Sequence, residues 1–491
     1  MTPVLAIDQS TSSTKACVLD ARGEVVSEAA RSHRTCHPRP GWVEQDGDEI
    51  WDNLLKVCRE ALHGYPVKPE RVSLTNQRES FLCFDRSGKP LTPVIVWQCR
   101  RGTAICRERA DEARKIGLER RTGLLLDTYF SAPKLSVLLR DNPDLKAGMD
   151  AGKILFGTID AYLVYRMTEG KVHASDATNA SRTLLFNLES GDWDADQAGL
   201  FNVPMKALPE IRDSSGNYGN TRLDGILPGP VPVQGIMGDS QASLLAQHCI
   251  EPGTTKATFG TGTSLLMKTE APLPEPTDGV VNALAWRIDG RDEYAVEGIV
   301  NFSAATLNWL RDALGLFQSF EEAEGLASAV PDSGGVLLIP AFVGLGAPYW
   351  APEARASICG LTPHSNRSHV IRAAYESIAL QIADNLDLLQ SITGNRPTCL
   401  RGDGGPTRSR FLTGLAASLI SCPLDVNRQP LLSPMGAVLA GRIGAGEIQM
   451  ESLSGDPPAG IDVIAPSLSH AEADRLRDAW RKALQAYRRD G

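Results

Sequence analysis

The stretch Val4-Leu-Ala-Ile-Asp-Gln-Ser-Thr-Ser-Ser-Thr-Lys-Ala-Cys-Val-Leu19 decides the fold. Val4 to Ile7 reads as a buried strand and Thr14 to Leu19 as a second, joined by a turn of small residues from Asp8 to Ser13. Asp20-Ala-Arg-Gly23 turns the chain again into a third strand, so the opening is a three-strand meander. Asp8 ends its strand beside short hydroxyl side chains whose backbone N–H groups can cradle phosphate oxygens. An ordinary serine-rich hairpin turn is the alternative.

The same theme returns about half a chain later. Lys256-Ala-Thr-Phe259 reads as a strand, Gly260-Thr-Gly-Thr-Ser264 as a small-residue turn, and Leu265-Leu-Met267 as the next strand. Two copies at this spacing are the pattern of a duplicated pair of domains, and 491 residues exceed what one hydrophobic core fills. The expected division is 1–248 and 249–491, with the linker near 245–255. Between the copies, Ile50, Trp51, Leu54, Leu55, Cys58 and Leu62 follow helical spacing, with Asp46 or Asp48 as N-cap. Strands are expected at Val72–Asn76, Phe81–Phe84 and Pro93–Trp97, the last two joined by the turn Asp85-Arg-Ser-Gly88. A long apolar helix is expected over Val370–Leu389, and a terminal one behind the capping box Ser469-x-x-Glu472. Strands mixed with helices in this way make the class α/β.

Charge and composition exclude several functions. A net charge of −9 without a local basic patch disfavours nucleic acid as a partner. No apolar run approaches the roughly 20 residues that span a bilayer, and Asp8 comes too early for a signal-peptide core, so no membrane insertion is expected. The ten cysteines form no CxxC pair and the eight histidines no HExxH, which speaks against a zinc site and fits a reducing cytoplasm. Gly344-Leu-Gly-Ala347 runs into Pro348 rather than a helix, so it is not a dinucleotide fingerprint.

Four further segments carry candidate chemistry. The glycines of Gly260-Thr-Gly-Thr263 let backbone approach a nucleotide. Gly402-Asp-Gly-Gly405 leads through Pro406-Thr-Arg-Ser409 into a helix at Phe411, which offers free backbone donors at a helix N-terminus; a plain strand-to-helix turn is the alternative. Arg78 and Glu79 follow a strand end, where a forked donor and a carboxylate can grip two hydroxyls; an exposed ion pair is the alternative. Asp239 lies between a strand over Val233–Met237 and a helix over Gln241–Gln247, a position that suits a general base.

Seven further segments stand in order along the chain: Gly41-Trp-Val-Glu44, Thr75-Asn-Gln-Arg-Glu79, Val96-Trp-Gln-Cys-Arg-Arg101, Leu155-Phe-Gly-Thr158, Thr178-Asn-Ala-Ser-Arg-Thr183, Leu184-Leu-Phe-Asn187 and Gly344-Leu-Gly-Ala-Pro-Tyr-Trp350. Together they resemble the FGGY family of carbohydrate kinases, most of all its glycerol kinase branch. The resemblance implies a two-domain actin-like, ribonuclease-H-like ATPase fold with a catalytic cleft between the domains. It implies ATP and Mg2+ as cofactors, a small polyol or sugar as acceptor, a cytoplasmic location and a homo-oligomer, dimer or tetramer. Matched motif by motif, Asp239 is the base; Arg78, Glu79, Trp97, Tyr129, Ser240 and Ser264 shape the acceptor pocket; Asp8 with Asp239 lies near the metal. Thr11, Ser12, Ser13, Lys15, Thr261, Ala304, Asn308, Gly405 and Ser409 fall at nucleotide positions.

The pattern also departs from that branch. Ser240 stands where glycerol kinases carry Gln, and Ser264 where they carry an aromatic, so the acceptor expected is longer or more polar than glycerol. Ala304, Asn308 and Ser409 replace Gly, Gln and Asn near the nucleotide, and Arg222-Leu-Asp-Gly-Ile226 lacks the pattern that binds fructose 1,6-bisphosphate. A ketose or pentitol kinase of the same family, or an actin-like ATPase without a small acceptor, are the competing readings.

Overall fold

A computed structural model describes residues 2–489 apart from 66, 67, 278, 350, 352, 456 and 459; Trp350 of the last quoted segment therefore lies outside the described residues. Each copy of the meander seeds a mixed sheet. In the first, β1 (Val4–Gln9), β2 (Ser13–Leu19) and β3 (Val25–Ser32) are antiparallel neighbours. β4 (Arg71–Asn76) pairs with β1 in parallel, β6 (Val231–Gly238) pairs with β4 in parallel, and β5 (Asn217–Thr221) closes the edge. The order is β5-β6-β4-β1-β2-β3. Every residue of β1 and β4 is buried, as expected of central parallel strands covered on both faces.

The second sheet repeats the plan. β7 (Thr255–Phe259), β8 (Thr263–Thr269) and β10 (Arg291–Val300) form the antiparallel part, with β9 (Val281–Ile288) outside β10. β11 (Leu400–Asp403) and β12 (Leu424–Asn427) continue in parallel, and β13 (Ile461–Ile464) ends the sheet. Two sheets of one plan, each carrying helices, make the actin-like, ribonuclease-H-like pair that the resemblance implies.

The helices form where capping and periodicity dictate. α1 (Gly47–Gly64) is capped by Asp46, whose carboxylate accepts the amides of Asp48 and Glu49, and it buries Ile50, Trp51, Leu54, Val57, Cys58 and Ala61. The helix Arg367–Thr393 outruns its expected span because Asn366 and His369 cap its start reciprocally and Gly394 ends it in the left-handed region. The expected strand at Pro93–Trp97 shrinks to Val94–Ile95, since the Trp97 amide donates to Ser80 Oγ at 3.0 Å instead of to a ladder.

Six further helices bear on the site or its support; in chain order they are α2 (Asp239–Ala246), α3 (Ala305–Asp312), α4 (Arg367–Thr393), α5 (Arg410–Leu419), α6 (Leu432–Gly444) and α7 (His470–Arg489). α2 starts two residues before its expected span and takes in Asp239 as its first residue. α6 leaves the second half and packs on α2 and on β6, β4 and β1 of the first sheet. There Leu431 and Val438 share a core with Val4, Ala6, Cys17 and Leu19. A side chain at Gly436 would stand 1.8 Å from the Ala242 carbonyl oxygen, so only glycine lets α6 lie this close to α2. All ten cysteines are free, and among the described residues no helix is long and apolar enough to cross a membrane.

Candidate active site

Sheet register sets the site. Asp8 and Met237 both stand opposite Thr75, so β1, β4 and β6 end level at their carboxyl ends. The turn after Gln9, the segment Gln77–Ser80 and the first turn of α2 therefore open on one edge, where ligands of parallel sheets bind. Ser10 N and Oγ both donate to the Ser13 carbonyl, closing the turn. The Thr11 and Ser12 amides have no hydrogen-bond partner among the described residues.

Asp239, at the N-terminus of α2, is 37% exposed at its side chain; its Oδ1 accepts the Ser240 amide at 2.7 Å and lies 3.4 Å from Arg78 Nε. Asp8 is buried, and burial pushes its carboxyl up to about 7, against the pull of Lys15 and with the charge of Asp239 adding to the rise. A cation at this pair would relieve both effects. Among the described residues no three His, Cys, Asp or Glu side chains form a metal cage. Two carboxylates nevertheless suit magnesium, which takes one or two and completes its shell with water and phosphate oxygens.

Arg78 and Glu79 are not the exposed ion pair that the sequence left as the alternative. Both are buried and already engaged. Arg78 forks the Glu297 carboxylate, with Nη2 to Oε1 at 2.7 Å and Nη1 to Oε2 at 3.2 Å. Glu79, held at φ +60°, accepts Arg182 Nε at 2.7 Å. Such a backbone angle costs on the order of 1–3 kcal/mol and persists where the surroundings over-determine it, typically at functional sites. Arg182 Nη2 lies 2.7 Å from Glu297 Oε2, an ion pair outside hydrogen-bond geometry. Ser264 donates to Glu297 Oε1 at 2.8 Å, so this small hydroxyl is not free in the pocket. The two arginines hold Glu297 well below the usual carboxylate range despite its burial, whereas burial raises Glu79.

Trp97 and Tyr129 form the aromatic wall, with ring centroids 5.4 Å apart. Trp97 Nε1 donates to Thr11 Oγ1 at 2.9 Å, joining that wall to the first turn. Behind it, buried Lys134 donates to the carbonyls of Tyr129 at 2.8 Å and Trp97 at 3.3 Å.

In the second sheet, Thr258 stands opposite Asp403, so the turns at Gly260–Gly262 and Gly404–Ser409 leave one edge side by side. Thr261 is exposed, and Ala304 N donates to Gly260 O at 3.1 Å, which seats the start of α3, with Asn308 one turn further on, against this turn. Gly404 has φ +99° and a Cβ there would lie 2.0 Å from the Phe259 carbonyl oxygen, so glycine is required to bring Gly405 beside the turn. The donors at the start of α5, free in the reading of the sequence, are taken. Ser409 Oγ accepts the Leu412 amide at 3.1 Å and Glu324 takes the Phe411 amide at 2.9 Å, so this helix start is capped by the protein itself. Ser13, Ser240 and Lys15 lie half-buried along the first-sheet edge.

Residues 3–246 match the family description "FGGY family of carbohydrate kinases, N-terminal domain", and residues 255–445 match its C-terminal domain. The chain belongs to the FGGY family of carbohydrate kinases. A glycerol kinase of Stenotrophomonas maltophilia (strain R551-3) is 40% identical to this FGGY kinase, covering 99% of each chain. The crystal structure of Plasmodium falciparum glycerol kinase with ADP superposes with a TM-score of 0.92 at 30% identity, covering 99% of this chain and 98% of that one. A xylulose kinase from Rhodospirillum rubrum superposes with a TM-score of 0.86 at 25% identity, covering 99% of both.

Sequence reasoning on this FGGY kinase did not single out Glu297, Arg182 or Lys134. Glu297 had a visible signal, being a lone charge inside the apolar run Tyr294-Ala-Val-Glu-Gly-Ile-Val300. A buried charge of that kind must be paired.

Proposed function

We propose that this kinase moves the γ-phosphoryl group of ATP to a hydroxyl of a small polyol, glycerol or a somewhat longer one, with Asp239 as general base. The observation that carries it is Asp239, partly open to the cleft at a helix N-terminus, with Arg78 at 3.4 Å and Asp8 beside it. An alcohol is a poor nucleophile until a carboxylate accepts its proton. Asp239 does so as the oxygen attacks phosphorus and the bond to ADP breaks. Asp8 and Asp239 would hold magnesium, which when bound would compensate the charge on the phosphoryl group. Arg78, Glu79, Trp97 and Tyr129 orient the acceptor. Thr11, Ser12, Ser13 and Lys15 hold phosphate from the first turn, while Thr261, Ala304, Asn308, Gly405 and Ser409 line the nucleotide from the second sheet. The division between the halves is drawn at 248/249. Ten free cysteines support a cytoplasmic location, and the family resemblance supports a homo-oligomer.

Ser240 and Ser264 set acceptor length in this reading. The wild type is expected to prefer a tetritol or longer polyol over glycerol. Changing Ser240→Gln and Ser264→Phe together is expected to move selectivity toward glycerol by roughly 10–200-fold, the worth of about one methylene of fit. Steady-state kcat/KM for glycerol, erythritol, threitol, the pentitols and xylulose on both proteins tests it. A wild type that favours glycerol over every longer acceptor removes the pocket-size argument, and one that favours xylulose makes it a ketose kinase.

A further inference from the structure

Glu297 is a fully buried carboxylate on β10, in the second half of the chain, while the arginines that meet it come from the first. Oε1 receives Arg78 Nη2 and Ser264 Oγ, and Oε2 faces Arg78 Nη1 and Arg182 Nη2, so neither oxygen has room left for a ligand. Each arginine turns its other edge to an acceptor-site carboxylate: Arg78 Nε to Asp239 at 3.4 Å, and Arg182 Nε to Glu79 at 2.7 Å. We propose that Glu297 is a positioning residue for the acceptor site, fixing through Arg78 and Arg182 where Asp239 and Glu79 meet the substrate. The proposal rests on the polyol kinase reading above.

The charge balance gives it a direction. Two arginines face two fully buried carboxylates, Glu79 and Glu297, while Asp239 meets only Nε of Arg78, at 3.4 Å. In Glu297→Gln one guanidinium charge is left over. Arg78 loses its forked partner, and Asp239 is the nearest carboxylate to which it can turn. An Arg78 drawn toward Asp239 displaces both side chains from the arrangement that orients the acceptor. None of the residues assigned to the nucleotide belongs to this network.

Glu297→Gln, Glu297→Asp and Ser264→Ala test it, measured with MgATP and with whichever of glycerol, erythritol, the pentitols or xylulose the wild type uses best, alongside thermal melting of each protein. Glu297→Gln is expected to lower kcat/KM for the acceptor by about 100-fold, through both kcat and acceptor KM, with KM for MgATP within about threefold of wild type. Glu297→Asp, which keeps the charge, should recover part of kcat. Ser264→Ala removes one donor from the carboxylate and should raise acceptor KM roughly tenfold while largely sparing kcat. If Glu297→Gln loses activity only in proportion to its folded fraction, with both KM values unchanged, the inference is overturned and the kinase reading stands. If Glu297→Gln does not fold, Ser264→Ala decides, and an unchanged acceptor KM there overturns the inference. A wild type that phosphorylates none of these acceptors overturns the kinase reading and the inference together.

Discussion

Asp239→Asn is expected to lower kcat by about 10²–10⁴-fold, the usual worth of a positioned general base. The amide keeps the size and the Ser240 contact of the carboxylate but cannot take the acceptor's proton. Because Asp8 remains beside it and the turn amides of Thr11 and Ser12 are untouched, binding of MgATP should change far less than turnover. Single-turnover rates with saturating polyol, together with nucleotide titration, separate the two. Near wild-type turnover by the Asn variant would remove Asp239 from the role of base and leave Asp8 as the candidate carboxylate.

Gly436→Ala is expected to cost about 3 kcal/mol of stability or more, at the upper end of what overpacking does. The added methyl would meet Ala242 oxygen at 1.8 Å, carbon at 2.4 Å and Cα at 2.8 Å. All three are backbone, so no side chain can turn away, and α6 must part from α2. α2 carries Asp239 at its first position, so parting the helices also moves the base, and turnover should fall in the molecules that stay folded. Gly325→Ala is the control: it lies within the helix Phe320–Ser328 with nothing within 4 Å of the new methyl, and should stabilise by up to about 1 kcal/mol. Denaturant midpoints and kcat of both variants, compared with wild type, measure the two effects. A Gly436→Ala protein as stable and active as wild type would mean that the α2 and α6 crossing is not tightly fixed.

The parts of this fold that were legible in the sequence are those specified locally. The strand-turn-strand of Val4 to Leu19 and its repeat at 255–269 follow from alternation and small turn residues, and Asp46 announces α1 four residues before its first buried apolar side chain, Ile50. Asp239 was legible for the same reason, as a carboxylate at the junction of a strand and a helix. What was not legible depends on residues distant in sequence. The quartet of Arg78, Glu79, Arg182 and Glu297 draws on positions more than a hundred residues apart, and no periodicity reports such a meeting. Glu324 reaches the start of α5 from 87 positions away, which is why donors expected to be free are taken. Ser264 was read by its size alone. Its hydrogen bond to Glu297 makes it also a part of the charge network, so the same residue shapes the pocket and helps hold its arginines.

The central claim, phosphoryl transfer from ATP to a polyol at Asp239, is tested most directly by following ADP release from MgATP with and without each acceptor while the product is identified by mass. The expected result is ADP formed one-for-one with a phosphorylated polyol, only slow ATP breakdown when no acceptor is present, and loss of both products in Asp239→Asn. ADP release at one rate whether or not a polyol is present, with no phosphorylated polyol detected, would contradict it and leave an ATPase whose cleft serves some other purpose.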